Sequence, residues 1–424
     1  MKQKSNTLLN DKYSLFGYYE AVIFGLLLFN FLLIVDKRFD SFTTTQYLLN
    51  YKFGFASRFL IGSIYSLFTD NITNNLIYIT VIIFLIFLIF FIALLLGAVI
   101  RRSKLDERQA VMTFVVLFIS SPLSVSYLFG GYFAKFDMYW VIITLVSVVC
   151  LRKSAWRWLV PLLCAAAIMV HQGFMVTYMP AIIIPLLYEV YRSNFAKKEI
   201  AILGLSCLAM IGLFIVVQLA PKNIAFDNAV SFSEYLSNNS GINASAPMLW
   251  LEYYAKFPDY WLDFHIPLIK TIAIPVGCTM LVFSSSLIVI FGSIWKFSFK
   301  HAEKNSLRII FVLCSLAPMT FAAAALFGTD WDRWWAAVIN NQFILLFYFI
   351  FARETVVIDA VKKVGVYFEK NFLLFLLIIV FTNSLVFSRA ATLLETLLLS
   401  DNNKSFRFMW DYFNKNVYSV VTGS

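Results

Sequence analysis

The sequence predicts an all-α, polytopic transmembrane helix bundle, and three observations carry that prediction. Of the 424 residues, 61% are hydrophobic and only 14% are charged, and the mean hydropathy is +0.78, a balance that soluble globular domains do not carry. Apolar runs approaching the roughly 20 residues needed to cross a bilayer recur along the whole chain. Lys and Arg gather in alternate connections between those runs, which is how membrane helices are oriented.

The runs fall at residues 17–35, 75–100, 110–129, 138–151, 158–170, 173–190, 200–219, 270–294, 307–327, 336–352 and 371–388, about eleven spans in all. The first follows Lys2, Lys4 and Lys12 and precedes "DKRFD" instead of a small-residue cleavage site, so it reads as a retained anchor. Residues 158–190 fit either one over-long bent helix or two short ones meeting at "HQG". Charge decides for two. With a cytoplasmic N-terminus, that terminus, "RRSKLDER", "RKSAWR", "YRSNFAKK", 296–308 and 353–370 each hold at least three basic residues, whereas turns 130–137, 171–172 and 328–335 hold one, none and one. A single span there would reverse every later loop and break the pattern. The C-terminus is then extracytoplasmic.

The longest cytoplasmic loop has about 18 residues against the roughly 50 a small domain needs, so residues 1–424 read as one integral membrane domain. Two outer segments are long, 36–74 and 220–269. In the first, Phe59, Leu60, Ile64 and Leu67 recur at helical spacing beside Lys52 and Arg58, as in an extracytoplasmic interfacial helix. The net charge of +10 resides mainly in the cytoplasmic loops and does not point to nucleic acid. Cys150, Cys164, Cys207, Cys278 and Cys314 lie in apolar runs without a CxxC or Cys/His cluster, so neither disulfides nor a thiolate metal site is expected.

Ionisable residues inside a membrane are costly unless they face a partner or a wet cavity, and those on the outer side cluster, which predicts an outward polar chamber. "FGTDWDRWWA" holds Arg333, whose planar fork suits phosphate, and Asp330 and Asp332, able to orient it, take sugar hydroxyls or hold a divalent ion; the plainer reading is a loop ion pair among interface tryptophans. His171, at the hairpin tip, is a candidate general base or a histidine bonded to a neighbouring helix. Asp36 and Asp40 close the first span and share their loop with Arg58, so a carboxylate base and a phosphate-binding cation can meet there, unless the loop is simply solvated. "GGYFAKFDMYW" adds Lys135 and Asp137. "APMLWLEYYAKFPDYWLDFH" interleaves Trp261 and other aromatics with acids, as a sugar-stacking surface or a lipid-surface helix would. Asp-x-Asp in nucleotide-sugar transferases works beside a nucleotide-binding fold, and no segment here supplies one.

On "DKRFD", "GFASRFLIGS", "HQGF" and "TDWDRWW", the chain resembles the polytopic polysaccharide polymerases and C-type lipid-linked-sugar transferases of bacterial envelopes. The resemblance is architectural and covers nearly the whole chain. It implies polyprenyl-diphosphate-linked glycans as substrates, reaction outside the cytoplasmic membrane in capsule, O-antigen or exopolysaccharide synthesis, and other envelope-glycan assembly proteins as partners. It also implies that Arg58 and Arg333 hold the diphosphate and that Asp36 or Asp40 is the catalytic acid. The adjacent acidic pair of the clearest members is absent, so no cofactor is expected. A transporter or flippase of the same lipids, or an assembly subunit without chemistry, fits the same layout; a transporter predicts repeats and midplane charges, and the sequence shows neither.

Topology is testable directly. In a variant without native cysteines, single cysteines at Lys135, Lys222 and Asp330 should react with an impermeant thiol reagent outside the membrane, and one at Lys300 should not. Labelling at 300 would overturn the orientation.

Overall fold

The computed structural model describes residues 17–35, 40–130, 132–219, 225–254, 274–327 and 331–387, and no strand occurs among them. The helices are α1 (Tyr18–Ile34), α2 (Ser41–Leu48), α3 (Phe59–Ser66), α4 (Asn74–Arg102), α5 (Leu105–Ser120), α6 (Asp137–Leu151), α7 (Val160–Val170), α8 (Phe174–Thr177) and α9 (Pro180–Arg192). They continue with α10 (Lys197–Leu219), α11 (Ala229–Ser240), α12 (Ala246–Leu249), α13 (Ile274–His301), α14 (Asn305–Leu316), α15 (Thr320–Phe327), α16 (Trp331–Phe351), α17 (Thr355–Lys370) and α18 (Phe372–Phe387).

Each apolar run of the sequence carries a helix, but fewer are long enough to span. Among the described residues six helices qualify by length and composition, and the pair α17 and α18, bent by 101°, makes a seventh if it counts as one span. Hydropathy registers composition and not helix length. Helices α1, α6 and α7 have 17, 15 and 11 residues, about 25, 22 and 17 Å against a hydrocarbon core of roughly 30 Å.

Local chemistry sets the helix ends. The Thr73 hydroxyl accepts from the Leu76 N–H at 3.2 Å to start α4, and Arg101 and Arg102 in its last turn complement the helix dipole. The chain then reverses, and the Glu107 carboxylate accepts from the Lys104 N–H at 2.9 Å to start α5. Asp40 caps α2 by accepting from the Thr43 N–H at 2.5 Å. Over the predicted interfacial segment a helix does form, α3, with Phe59 buried and Ile64 and the following Leu67 exposed.

Helix α16 is the pole of the bundle. It is buried over nearly its whole length and packs against α4, α8, α9, α13, α15 and α17, whereas α10 is only 22% buried across its apolar window and turns its remaining surface outward. Ion pairs lie in two layers at opposite helix ends. Where α4 and α16 finish, Arg101 meets buried Glu20, Arg353 meets Glu107 at 2.8 Å, and Glu189 takes Arg152 and Arg157 at 2.8 and 2.6 Å. The other layer, where α6 and α16 begin, holds the residues singled out in the sequence.

Gly62 seats α3 in that layer: a Cβ there would lie 2.0 Å from the Leu49 carbonyl oxygen. Gly62→Ala should therefore cost about 1–3 kcal/mol and lower the melting temperature of the purified protein. Gly204→Ala, with open space around it, should leave it unchanged. Equal melting of both variants would contradict this packing.

Candidate functional site

Arg58 sits at the N-cap of α3 with a left-handed backbone (φ 73°), a conformation that costs a non-glycine residue on the order of 1–3 kcal/mol. Its surroundings hold it there. The Arg58 N–H donates to the Met169 carbonyl at 3.3 Å, and Nη1 lies 2.9 Å from Oε1 of Glu252, which a π-helical turn over Trp250–Tyr254 presents. Nη2 contacts Nε2 of His171. The preceding Ser57 bonds the Gln172 side chain and receives the Gln172 N–H at 3.2 Å, while the Tyr253 hydroxyl donates to its carbonyl at 3.3 Å. Loop 50–58 and the "HQG" turn are thus stitched together.

His171 ends α7, and its ring is enclosed by Trp140, edge-on at 5.0 Å between centroids. The Gly173 N–H donates to Nδ1 at 2.8 Å. A neutral imidazole offers one lone pair, so the Gly173 N–H and Arg58 compete for it, and an imidazolium could accept from neither. Burial first, and then Arg58, Arg333 and Lys135, push the imidazole well below its ordinary pKa. Burial, and next the Glu252 charge, push the Tyr253 phenol up. The site therefore disfavours the imidazolium form of His171 and holds the ring against the Arg58 guanidinium.

Arg333, in the first turn of α16, meets Asp137, the first residue of α6, at 2.7 Å between Nη1 and Oδ2. Both are buried, at 3% and 0% exposure. A cation opposes the dipole at a helix N-terminus and an anion favours it, so Asp137 compensates both helix starts. Beside them the Tyr127 and Tyr178 hydroxyls lie 2.9 Å apart, and the Asn340 amide donates to Tyr178 at 3.0 Å.

Lys135 extends toward Asp40, Nζ to Oδ2 3.9 Å, and over the Phe42 ring at 5.2 Å. Ala134 before it is left-handed (φ 66°), with its carbonyl accepting from the Tyr47 hydroxyl at 2.6 Å.

Of the residues singled out by sequence, the structure therefore gathers Asp40, Arg58, Lys135, Asp137, His171 and Arg333 at one end of the bundle. Asp40 acts there as the α2 cap. Asp36, Asp330 and Trp261 lie outside the described residues, as does the Asp332 side chain. The described partner of Arg333 is Asp137, from a different helix. Glu252, Tyr127, Tyr178 and Asn340 were not expected as site residues: the tyrosines and asparagine sit inside apolar runs, and only the carboxylate in the aromatic "WLEYY" stretch gave a signal. Among the described residues, no three of His, Cys, Asp and Glu converge as metal ligands would.

Comparison with known proteins finds no matching family model, no matching curated protein and no matching solved structure.

Removing Asp137 leaves a buried guanidinium without its carboxylate. Asp137→Ala should cost about 3–5 kcal/mol, and Asp137→Ala with Arg333→Met should recover much of that loss, measured by thermal unfolding in detergent. A double variant no more stable than the single one would contradict a direct pairing.

Proposed function

We propose that the chain is a multi-pass enzyme of the bacterial cytoplasmic membrane that transfers or polymerises polyprenyl-diphosphate-linked oligosaccharide units at the outer face. On this reading the shorter apolar helices α1, α6, α7, the α8–α9 pair and α18 are further crossings, giving the eleven spans of the sequence reading. The N-terminus is cytoplasmic and the C-terminus extracytoplasmic. The layer holding Arg58, His171 and Arg333 then faces outward.

One observation supports this reading above the others: Arg58 contacts a buried imidazole at one end of an apolar helical bundle, in the same layer as Lys135 and the Arg333–Asp137 pair. A diphosphate leaving group needs fixed positive charge as the glycosidic C–O bond breaks and the electron pair passes to the phosphate oxygen. Arg333 and Arg58 offer guanidinium forks for it, and Lys135 a point charge. The attacking hydroxyl must lose its proton to a base in its unprotonated form. His171 is that base in the tautomer with its proton on Nδ1, so as Arg58 turns toward the diphosphate the Gly173 hydrogen bond to Nδ1 is exchanged for a lone pair on Nε2. Asp40, capping α2 beside Lys135, positions that lysine. No metal is assigned to the step. The partners are the lipid-linked glycan, the surrounding lipids and other envelope-glycan assembly proteins.

The purified chain, reconstituted in vesicles with a polyprenyl-diphosphate oligosaccharide, should lengthen or transfer the glycan. Arg58→Lys and Arg333→Lys keep charge but lose the fork, and each should lower turnover by roughly 5- to 150-fold, about 1–3 kcal/mol of transition-state binding. Because a lowered pKa keeps the imidazole neutral to more acidic pH, the acid limb of the rate should lie below 6.5 and vanish in His171→Gln. Movement of the lipid across the bilayer without any glycan transfer would replace the enzyme with a flippase.

A further inference from the structure

A groove of about 220 Å³ runs along the seam between α6 and α16, walled on a third side by α4. Its α6 wall is Val141, Leu145 and Val148, and its α16 wall is Ile344 and Phe347. These positions continue the helix faces that carry Asp137 and Arg333, since steps of three, four and seven residues return to one face. The groove thus lies below the buried ion pair and descends away from it. From Val141 to Leu151 it follows about 15 Å of helix, half of the roughly 30 Å hydrocarbon core, the depth that one leaflet's lipid chain occupies. Asn340, tied to Tyr178 at 3.0 Å, closes the deep end with a polar group.

The end by the α6 C-terminus is cationic. Arg152 and Lys153 line it. The Arg102 guanidinium lies 4.8 Å from the Phe351 ring centroid and that of Arg152 5.7 Å from the same ring, and Phe351 also lines the groove. Arg152, Arg353 and Arg192 each bear on the Arg102 charge. Carboxylates do not balance them: Glu189 is shared by Arg152, Arg157 and Arg192, Glu199 serves Arg157, Glu107 serves Arg353, and Arg102 has no carboxylate in ion-pair contact among the described residues. Basic pockets between membrane helices suit phosphate headgroups, and arginine forks grip phosphate oxygens in pairs.

We propose that this groove binds one hydrocarbon chain of an anionic phospholipid, with the phosphate at Arg102, Arg152 and Lys153. An apolar slot bounded by helices excludes a soluble phosphate compound as its main occupant, because the walls would remain unfilled. The cationic rim excludes a zwitterionic lipid as an equal competitor. The lipid completes the packing of α4, α6 and α16 at the end remote from the Arg58 and His171 layer, and its binding does not rest on the transferase reading.

The test uses the purified full-length chain in detergent, with palmitoyl-oleoyl phosphatidylglycerol and phosphatidylcholine as probes, read by native mass spectrometry and thermal unfolding. Phosphatidylglycerol should be retained at least tenfold more than phosphatidylcholine and should raise the melting temperature by several degrees, and inorganic phosphate should not. Arg102→Gln with Lys153→Gln should abolish the headgroup preference. Leu145→Trp, or the milder Val148→Phe if the first does not fold, should abolish retention of both lipids. Equal retention of the two lipids by the wild type, a phosphate-only effect of the same size, or undiminished phosphatidylglycerol binding by a folded groove-filling variant would overturn the proposal.

Discussion

A guanidinium and a carboxylate withdrawn from water keep their charges only while they keep each other, and Arg333 and Asp137 set that condition for this bundle. Such a pair adds little net stability, since desolvation consumes most of the attraction. What it adds is registry. Asp137 opens α6 and Arg333 lies in the first turn of α16, so the two helices must begin at one level, and sliding either by a turn would leave a charge alone in an apolar interior. Because α16 packs against six of the described α-helices, that level is passed to the rest of the fold.

From this registry follow the two polar layers and the apolar zone between them. At one end, the "HQG" turn after α7 and the left-handed Arg58 before α3 meet beside the ion pair, and Glu252 is brought over them by a π-helical turn. Loops alone would not hold a guanidinium against an imidazole. Here they are braced by the Ser57 and Gln172 bonds and by Tyr253. At the other end, arginines outnumber the carboxylates that serve them, and the seam of α6 and α16 opens into a groove. The same two helices thus anchor a polar site at their start and an apolar slot farther along.

Most of the helical architecture was legible in the sequence because membrane insertion writes composition directly into the chain: each apolar run became a helix. Span number was less legible, since α6 and α7 are as apolar as α4 yet about half its length or less. Which residues gather was also readable, because a charge beside an apolar run needs a reason. Their pairing was not. Arg333 and Asp137 are 196 residues apart, and Arg58 and His171 are 113 apart; local reading offered Arg333 its own neighbours Asp330 and Asp332, whose side chains lie outside the described residues, and gave no sign of the carboxylate from α6. Asp40 was picked out by its position after the first span, and its part in capping α2 was not readable there.

The registry is best tested by a distance in the bilayer itself. Magic-angle-spinning dipolar recoupling, on protein carrying nitrogen-labelled arginine and carbon-labelled aspartate in lipid vesicles, reports direct guanidinium–carboxylate contacts, and the Arg333→Lys variant identifies the one due to this pair. The account predicts a strong contact, from an N···O separation of 2.7 Å, that disappears in the variant. A wild-type spectrum in which no contact is lost on substitution would contradict the buried pair, and with it the alignment of α6 and α16 on which the site and the groove depend.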